Sequence, residues 1–223
     1  MGSGQNLGFK AELGASRYNF RQVNFPTYVS QYETFKHQPI WSASVGMYSK
    51  FEIGKSISLS ASVNYTKKGN REYTIFNSVN QQTPDTSYQN TSDTKTHMHY
   101  IDLTGLIHLK KLNLFFGGQV SYLSRIDYVS YHNVTGSYDG NEIYSNTQQA
   151  WRKHEFKFDY YNRVEFATAL GYEHEVSENA KLTLTYFQGI TGVLNQDFFI
   201  NYRNSQLMLG LTYALKTKED KSR

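Results

Sequence analysis

At 223 residues, with 19 Tyr, 14 Phe and only three Pro, the chain has the length and composition of one all-β domain and is ill suited to a proline-rich linker protein. The absence of cysteine excludes disulfides and thiolate metal or redox sites. The net charge of +4 is spread thinly, so nucleic acid is not an expected partner. No stretch of about 18 apolar residues exists, which excludes a membrane-spanning helix but leaves a barrel of spanning strands open.

Met1 to Gly4 lack an apolar signal core and look like a cloning scar in place of a removed export peptide, so residues 1–5 are set apart as a tail. Two-residue alternation then predicts eight strands. The first runs from about Leu7 to Ser16 and the second from Ile40 to Ile53. A turn near Gly54-Lys55 leads to the third, Ile57 to Thr66, where Ile57, Leu59, Ala61, Val63 and Tyr65 oppose Ser58, Ser60, Ser62, Asn64 and Thr66. The fourth spans about His99 to Lys110 and turns at Lys111 into the fifth, Leu112 to Ser124. The sixth covers Asn162 to Val176, with a turn at Ser177-Glu-Asn179 before the seventh, Lys181 to Gly189. The eighth spans Ser205 to Leu215, and 216–223 form a polar C-terminal tail.

Four long connections (17–39, 67–98, 125–161 and 190–204) alternate with the short turns. Structureless loops of that length count against a compact soluble domain. They suit an eight-stranded antiparallel up-and-down transmembrane barrel over 6–215, with long outer loops and short inner turns. The direction of the apolar face follows from the opposite one. Ser, Gly, Ala, Thr, Asn and Gln dominate it, with few of the Lys and Glu that coat a soluble barrel. Aromatics cluster near strand ends of the apolar face, Trp41, Tyr65 and Tyr122 toward the loops and Phe9, Phe51, Tyr172 and Tyr213 toward the turns, as two girdles at a membrane's interfaces would. Outer-membrane lipid is therefore the expected surrounding, and the bacterial outer membrane the expected location.

Five segments in order, Asn6–Gly14, Ser60–Gly69, Ala169–Tyr172, Tyr186–Gly192 and Gln206–Tyr213, resemble the PorT-type outer-membrane β-barrel family common in Bacteroidetes. Gly210-Leu-Thr-Tyr-Ala-Leu215 is similar to the terminal signal read by the barrel-assembly machinery, although eight polar residues follow it. The resemblance implies export and an eight-stranded fold and supplies no catalytic residues.

Charges on the expected lumen face fall at two heights, Glu12, Asp102, Arg163 and Glu165 near the loops and Lys10, His108 and Glu173 near the turns. Eight strands leave an interior that side chains fill, so opposite charges at one height are expected to pair and plug it. A narrow porin-like channel for small solutes is the alternative. A membrane hydrolase or acyltransferase ranks lower, because no Gly-x-Ser-x-Gly elbow is present. The expectation is a non-enzymatic protein without cofactor or metal. His97-x-His99 could share a face, but no third ligand is indicated. The loops carry Tyr18, Tyr28, Tyr32, Tyr88, Tyr128, Tyr131, Tyr138, Tyr144, Tyr160 and Tyr161 among Asn, Gln, Ser and Asp, a composition suited to surface binding or to a protein partner in the membrane. Equally, these residues could extend the hairpins above the membrane and cap the barrel. Gln81 to Thr94, polar and without apolar period, reads as mobile.

Overall fold

The computed structural model describes residues 5–22, 32–79, 86–138, 141–155, 161–193 and 200–215. Among them are ten strands: β1 (Gln5–Gln22), β2 (Tyr32–Gln38), β3 (Ile40–Glu52), β4 (Ile57–Val79), β5 (Thr86–Leu109), β6 (Leu114–Tyr138), β7 (Asn141–Glu155), β8 (Val164–Glu175), β9 (Ala180–Gly189) and β10 (Ile200–Ala214). Eight of them close a ring of antiparallel pairs, β1-β3-β4-β5-β6-β8-β9-β10 and back to β1. The expected eight-stranded barrel is thus present. β2 pairs with the upper part of β4, and β7 with the upper part of β6, outside the ring.

The register fixes the shape. Following partners once around from Gln5, through Phe51, Leu59, Ile107, Phe116, Leu170, Tyr186 and Leu207, the path returns to β1 at Ala15, ten residues higher. Eight strands with a shear of ten tilt by roughly 40° and enclose a backbone cylinder of about 8 Å radius. That width holds side chains and little else.

Alternation then separates two solvents. Leu13, Val45, Val63, Leu103, Val120, Leu170, Leu184 and Leu209 are exposed on the outside, while Ser44, Ser62, Asn64, Thr104, Gln119 and Thr185 are buried inside. An apolar band that wraps a whole barrel is incompatible with water and matches hydrocarbon. Gly171 serves the packing inside: a Cβ there would sit 2.2 Å from Cζ of Phe115 and 2.5 Å from the carbonyl oxygen of Leu184, so only glycine admits the Phe115 ring.

The three turns joining β3–β4, β5–β6 and β8–β9 are short, as expected. In the second, Asn113 adopts a φ of 55°, a left-handed conformation that Asn tolerates better than most residues, and its amide donates to the carbonyl of Lys110.

The long connections differ from the expectation. Most of their described length is strand: β4 and β5 stay paired from Ile57–Leu109 up to Val79–Ser87, and β6 continues to Tyr138. Thr86 to Thr94, expected to be mobile, belong to β5, paired on both sides from Ser87, while 81–85 lie outside the described residues. The backbone supplies the reason. A polar hairpin needs no apolar period when each strand has a hydrogen-bonded neighbour on both edges. A bulge hid the continuity of β6: His99 pairs with Arg125 and Tyr100 with Leu123, leaving Ser124 as the extra residue, its hydroxyl donating to the His99 carbonyl at 2.8 Å. The bulge shifts the phase by one, so that both Leu123 and Ile126 point inward and are fully buried.

Candidate functional site: the lumen and its two ends

Two apolar clusters lie inside the barrel with polar layers around them. Toward the outer end, Tyr18, Met98, Tyr100, Leu123, Ile126, Val193 and Tyr202 pack together, with Tyr128 and Tyr161 against them. Tyr18 stacks on Tyr202 with ring centroids 5.8 Å apart and donates to Sδ of Met98 at 2.9 Å. Toward the turns, Leu106, Phe115, Ala169, Phe187 and Met208 form the second cluster.

Beneath the outer cluster is a buried charge layer. Lys68 Nζ lies 3.1 Å from Glu165 Oε2 and 3.9 Å from the centroid of the Tyr100 ring, and Tyr100 donates its hydroxyl proton to Oε1 of Glu165. Lys10 and Glu12, two residues apart on β1, pair at 2.8 Å. Asp102, wholly buried, accepts from Gln119 Nε2 at 3.1 Å, and Gln119 also reaches Thr104. At the turn end Lys50 donates to Glu173 at 2.9 Å, with His108 Nδ1 3.2 Å from the other carboxylate oxygen and Lys181 3.7 Å away.

Six of the seven expected lumen charges are therefore inside, in a pairing that differs from the one expected. Lys10 bonds Glu12 across the two anticipated heights, and the cations facing Glu165 and Glu173 are Lys68 and Lys50. Lys68 continues the inward alternation of β4 past the predicted end at Thr66, and Lys50 lies on the inward face within the second predicted strand. Arg163 is corrected: it lies in a bend before β8 starts at Val164, exposed, with its carbonyl accepting from the amide of Leu123 at 2.7 Å. Alternation has no hold on a residue outside the ladder.

On the outer face Phe9, Trp41, Phe51, Tyr65, Tyr122, Tyr172 and Tyr213 are all exposed. Phe9 pairs with Tyr213, while Tyr65, Ile101 and Tyr122 form one row across three strands. Just above that row, Tyr65 Oη and His99 Nδ1 are 2.6 Å apart, and His99 Nε2 lies 3.1 Å from Asp127. No three His, Cys, Asp or Glu side chains converge on a metal position among the described residues.

The tyrosines of the connections divide. Tyr18 is buried in the outer cluster and Tyr128 and Tyr161 pack on it, whereas Tyr88 and Tyr131 are exposed on the hairpins. The backbones of Tyr32, Tyr138 and Tyr144 lie on strands; Tyr28 and Tyr160 fall outside the described residues. On the same hairpins Arg71 binds Asp93 in a two-pronged contact, Nε to Oδ1 at 2.8 Å and Nη2 to Oδ2 at 2.6 Å. These hydrogen bonds hold the Asp93 carboxyl below the usual carboxylate range. A lowered pKa means a contribution present above the ordinary carboxylate range and lost as pH falls through the lowered folded value. Protection of the β4–β5 hairpin amides, measured as exchange relative to the intrinsic rate at each pH, is accordingly expected to fall on acidification to about pH 3, near the foot of the carboxylate range, with Asp93→Asn removing that acid step.

A second contact at the turn end was not anticipated. Ser60 Oγ and His108 Nε2 are 2.7 Å apart, and His108 Nδ1 faces Glu173, so a hydroxyl, an imidazole and a carboxylate stand in series. All three line a cavity of about 180 Å3 whose wall includes Leu106, Phe115 and Thr183 and which extends to Glu178 and Asn179 of the β8–β9 turn. Sequence motifs could not reveal it, because the three residues come from β4, β5 and β8. Ser60 is one of five inward polar residues in a row, Ser58 to Thr66, and carries no local mark.

Closed ring, apolar exterior, polar packed interior and hairpins that are long at one end only define the class: a transmembrane β-barrel of the outer-membrane type. Similar solved structures include Neisserial surface protein A, NspA (TM-score 0.38, 12% identity, covering 95% of this chain and 99% of that one), and Ail, the attachment invasion locus protein of Yersinia pestis (0.39, 10%, 94% and 98%). The N-terminal β-barrel domain of Pseudomonas aeruginosa OprF is a third (0.30, 9%, 92% and 97%). No protein-family model and no curated protein sequence matches the chain.

Proposed function

We propose that this chain is a PorT-type barrel of the bacterial outer membrane with a sealed lumen, acting as a surface-binding or membrane-complex component through its outer hairpins. The observation that carries the reading is the buried Tyr18–Tyr202 cluster set directly above the Lys68–Glu165–Tyr100 layer. It stacks apolar rings on paired charges inside a backbone cylinder of about 8 Å radius, a cross-section that such side chains fill. The five segments resembling PorT-type barrels support the family, and the seven exposed aromatics support two interfacial girdles. The paired hairpins support the surface role, which needs no turnover: β4, β5 and β6 rise as a continuous ladder and present Tyr88 and Tyr131 to solvent. A wall of paired strands holds side chains in place before a partner arrives, which lowers the ordering cost of binding.

Purified protein in planar bilayers is expected to give no steady single-channel current; a stable conductance would favour the narrow porin-like channel instead. Crosslinking in native membranes should yield a protein attached through the hairpins, lost when the tips of the β4–β5 and β6–β7 hairpins are removed. Partners unchanged by that deletion would end the surface reading.

A further inference from the structure

We propose that Ser60, His108 and Glu173 form a nucleophile, base and orienting carboxylate at the turn-side mouth of the barrel, and that this site hydrolyses short-chain acyl esters. It goes beyond the surface role and lies at the opposite end of the molecule. Its failure would leave the hairpin reading untouched.

The geometry has the order that acyl transfer requires. A serine hydroxyl is a weak nucleophile until a base within hydrogen-bond reach takes its proton, and that base must present the correct ring nitrogen. Here Nε2 of His108 faces Ser60 Oγ at 2.7 Å, and Nδ1 faces Oε2 of Glu173 at 3.2 Å. The ring is held from the side by Phe115, with centroids 5.3 Å apart. Glu173 is anchored in turn, its Oε1 accepting from Lys50 at 2.9 Å. Nε2 is thus hydrogen-bonded to the hydroxyl, while Nδ1 stands within ion-pair distance of the carboxylate.

The surroundings indicate the substrate class. The cavity wall beside the triad is apolar at Leu106 and Phe115 and polar toward the turns. The size of the cavity, about 180 Å3, limits the acyl group to a short one, with the alcohol part directed to the polar mouth. Thr183 Oγ1 lines the same cavity, buried and without a hydrogen-bond partner among the described residues. It is one hydroxyl of the cavity wall that could donate to a developing oxyanion.

The reaction balances with water as co-reactant. Ser60 Oγ bonds to the ester carbonyl carbon while its proton passes to His108 Nε2 and the carbonyl π pair moves onto oxygen. When that pair returns, the bond to the alcohol oxygen breaks, and the alkoxide takes the proton from His108. Water then attacks the acyl-serine and gives its proton to His108. Ser60 departs with that proton, releasing the carboxylic acid.

The test uses the full chain refolded in detergent micelles, with p-nitrophenyl butyrate as substrate and a fluorophosphonate probe, whose phosphorus bonds to serine oxygen as fluoride leaves. Expected are a label located on Ser60 by peptide mass spectrometry and turnover that rises with pH as one group deprotonates. Ser60→Ala should abolish the label and, with His108→Gln, lower turnover by roughly 100-fold or more. Ser62→Ala, a neighbouring inward hydroxyl, should keep both. Unchanged heat-modifiable mobility in electrophoresis verifies that Ser60→Ala is folded. A label absent from Ser60, or a folded Ser60→Ala protein with undiminished turnover, would overturn the proposal.

Discussion

Glu165→Gln is expected to destabilise the barrel by about 3–5 kcal/mol, the cost of leaving one partner of a buried ion pair uncompensated. The shape of the side chain is kept and the loss is one of charge. Lys68 and Glu165 are 4% and 5% exposed, so water cannot take the place of the missing carboxylate. Lys68 would retain only the Tyr100 ring and a 3.5 Å contact with Ser121. The Tyr100 hydroxyl would still find an acceptor in the amide, so the deficit belongs to the ammonium. Removing both members should cost less than removing either: Lys68→Met combined with Glu165→Gln is expected to recover most of the loss. Urea unfolding in lipid vesicles, followed by tryptophan fluorescence and band shift, measures all three variants. A double variant no more stable than Glu165→Gln would refute the pairing.

That layer also shows where reading the chain by alternation stops working. Glu165 was recognisable as an inward charge because Val164, Phe166 and Leu170 mark the opposite face of β8. Its partner was not, since Lys67-Lys68-Gly69-Asn70-Arg71 looks like a polar loop. Yet the inward series Ser58, Ser60, Ser62, Asn64 and Thr66 simply continues through Lys68 to Asn70, all on β4 and all but Ser60 buried. Above the hydrocarbon the outward residues no longer need to be apolar, so the contrast that makes alternation visible disappears while the hydrogen-bonded ladder goes on. The short turns posed no such difficulty, because strand pairs that leave the membrane on that side have nothing to bond beyond it. Position along a strand was therefore legible wherever lipid lay on one side, and only there.

Pairing across strands is harder still. Ser60, His108 and Glu173 are each ordinary inward residues of their own strands. They meet because a shear of ten sets β4, β5 and β8 at particular heights. Shear depends on the sum of all eight registers, and no single segment encodes it. The same holds for Lys10 and Glu12, which were expected to find partners on other strands and instead bond along β1. Chemistry inside a barrel is a property of its closure.

The lipid face permits a direct test of direction. Leu103 is exposed outward in the middle of β5, with Val63 and Val120 as its partners on either side, while Asp102 next to it is wholly buried in the lumen. Leu103→Arg is expected to cost about 2–4 kcal/mol, the price of an Arg near the bilayer midplane. The same substitution at Val176, exposed beyond the end of β8 in the β8–β9 turn, should cost about 0–1 kcal/mol, because there the side chain reaches the interface. The contrast between the two sites is what distinguishes a lipid-facing exterior from a water-facing one, since in water both would be nearly neutral. Reversible unfolding from bilayers of defined thickness gives both values. A thinner bilayer should shrink the penalty at Leu103, because the guanidinium then has less hydrocarbon to cross to reach phosphate and water. Equal and negligible costs at the two positions would mean that the apolar band does not face lipid, and the transmembrane assignment would fall with it.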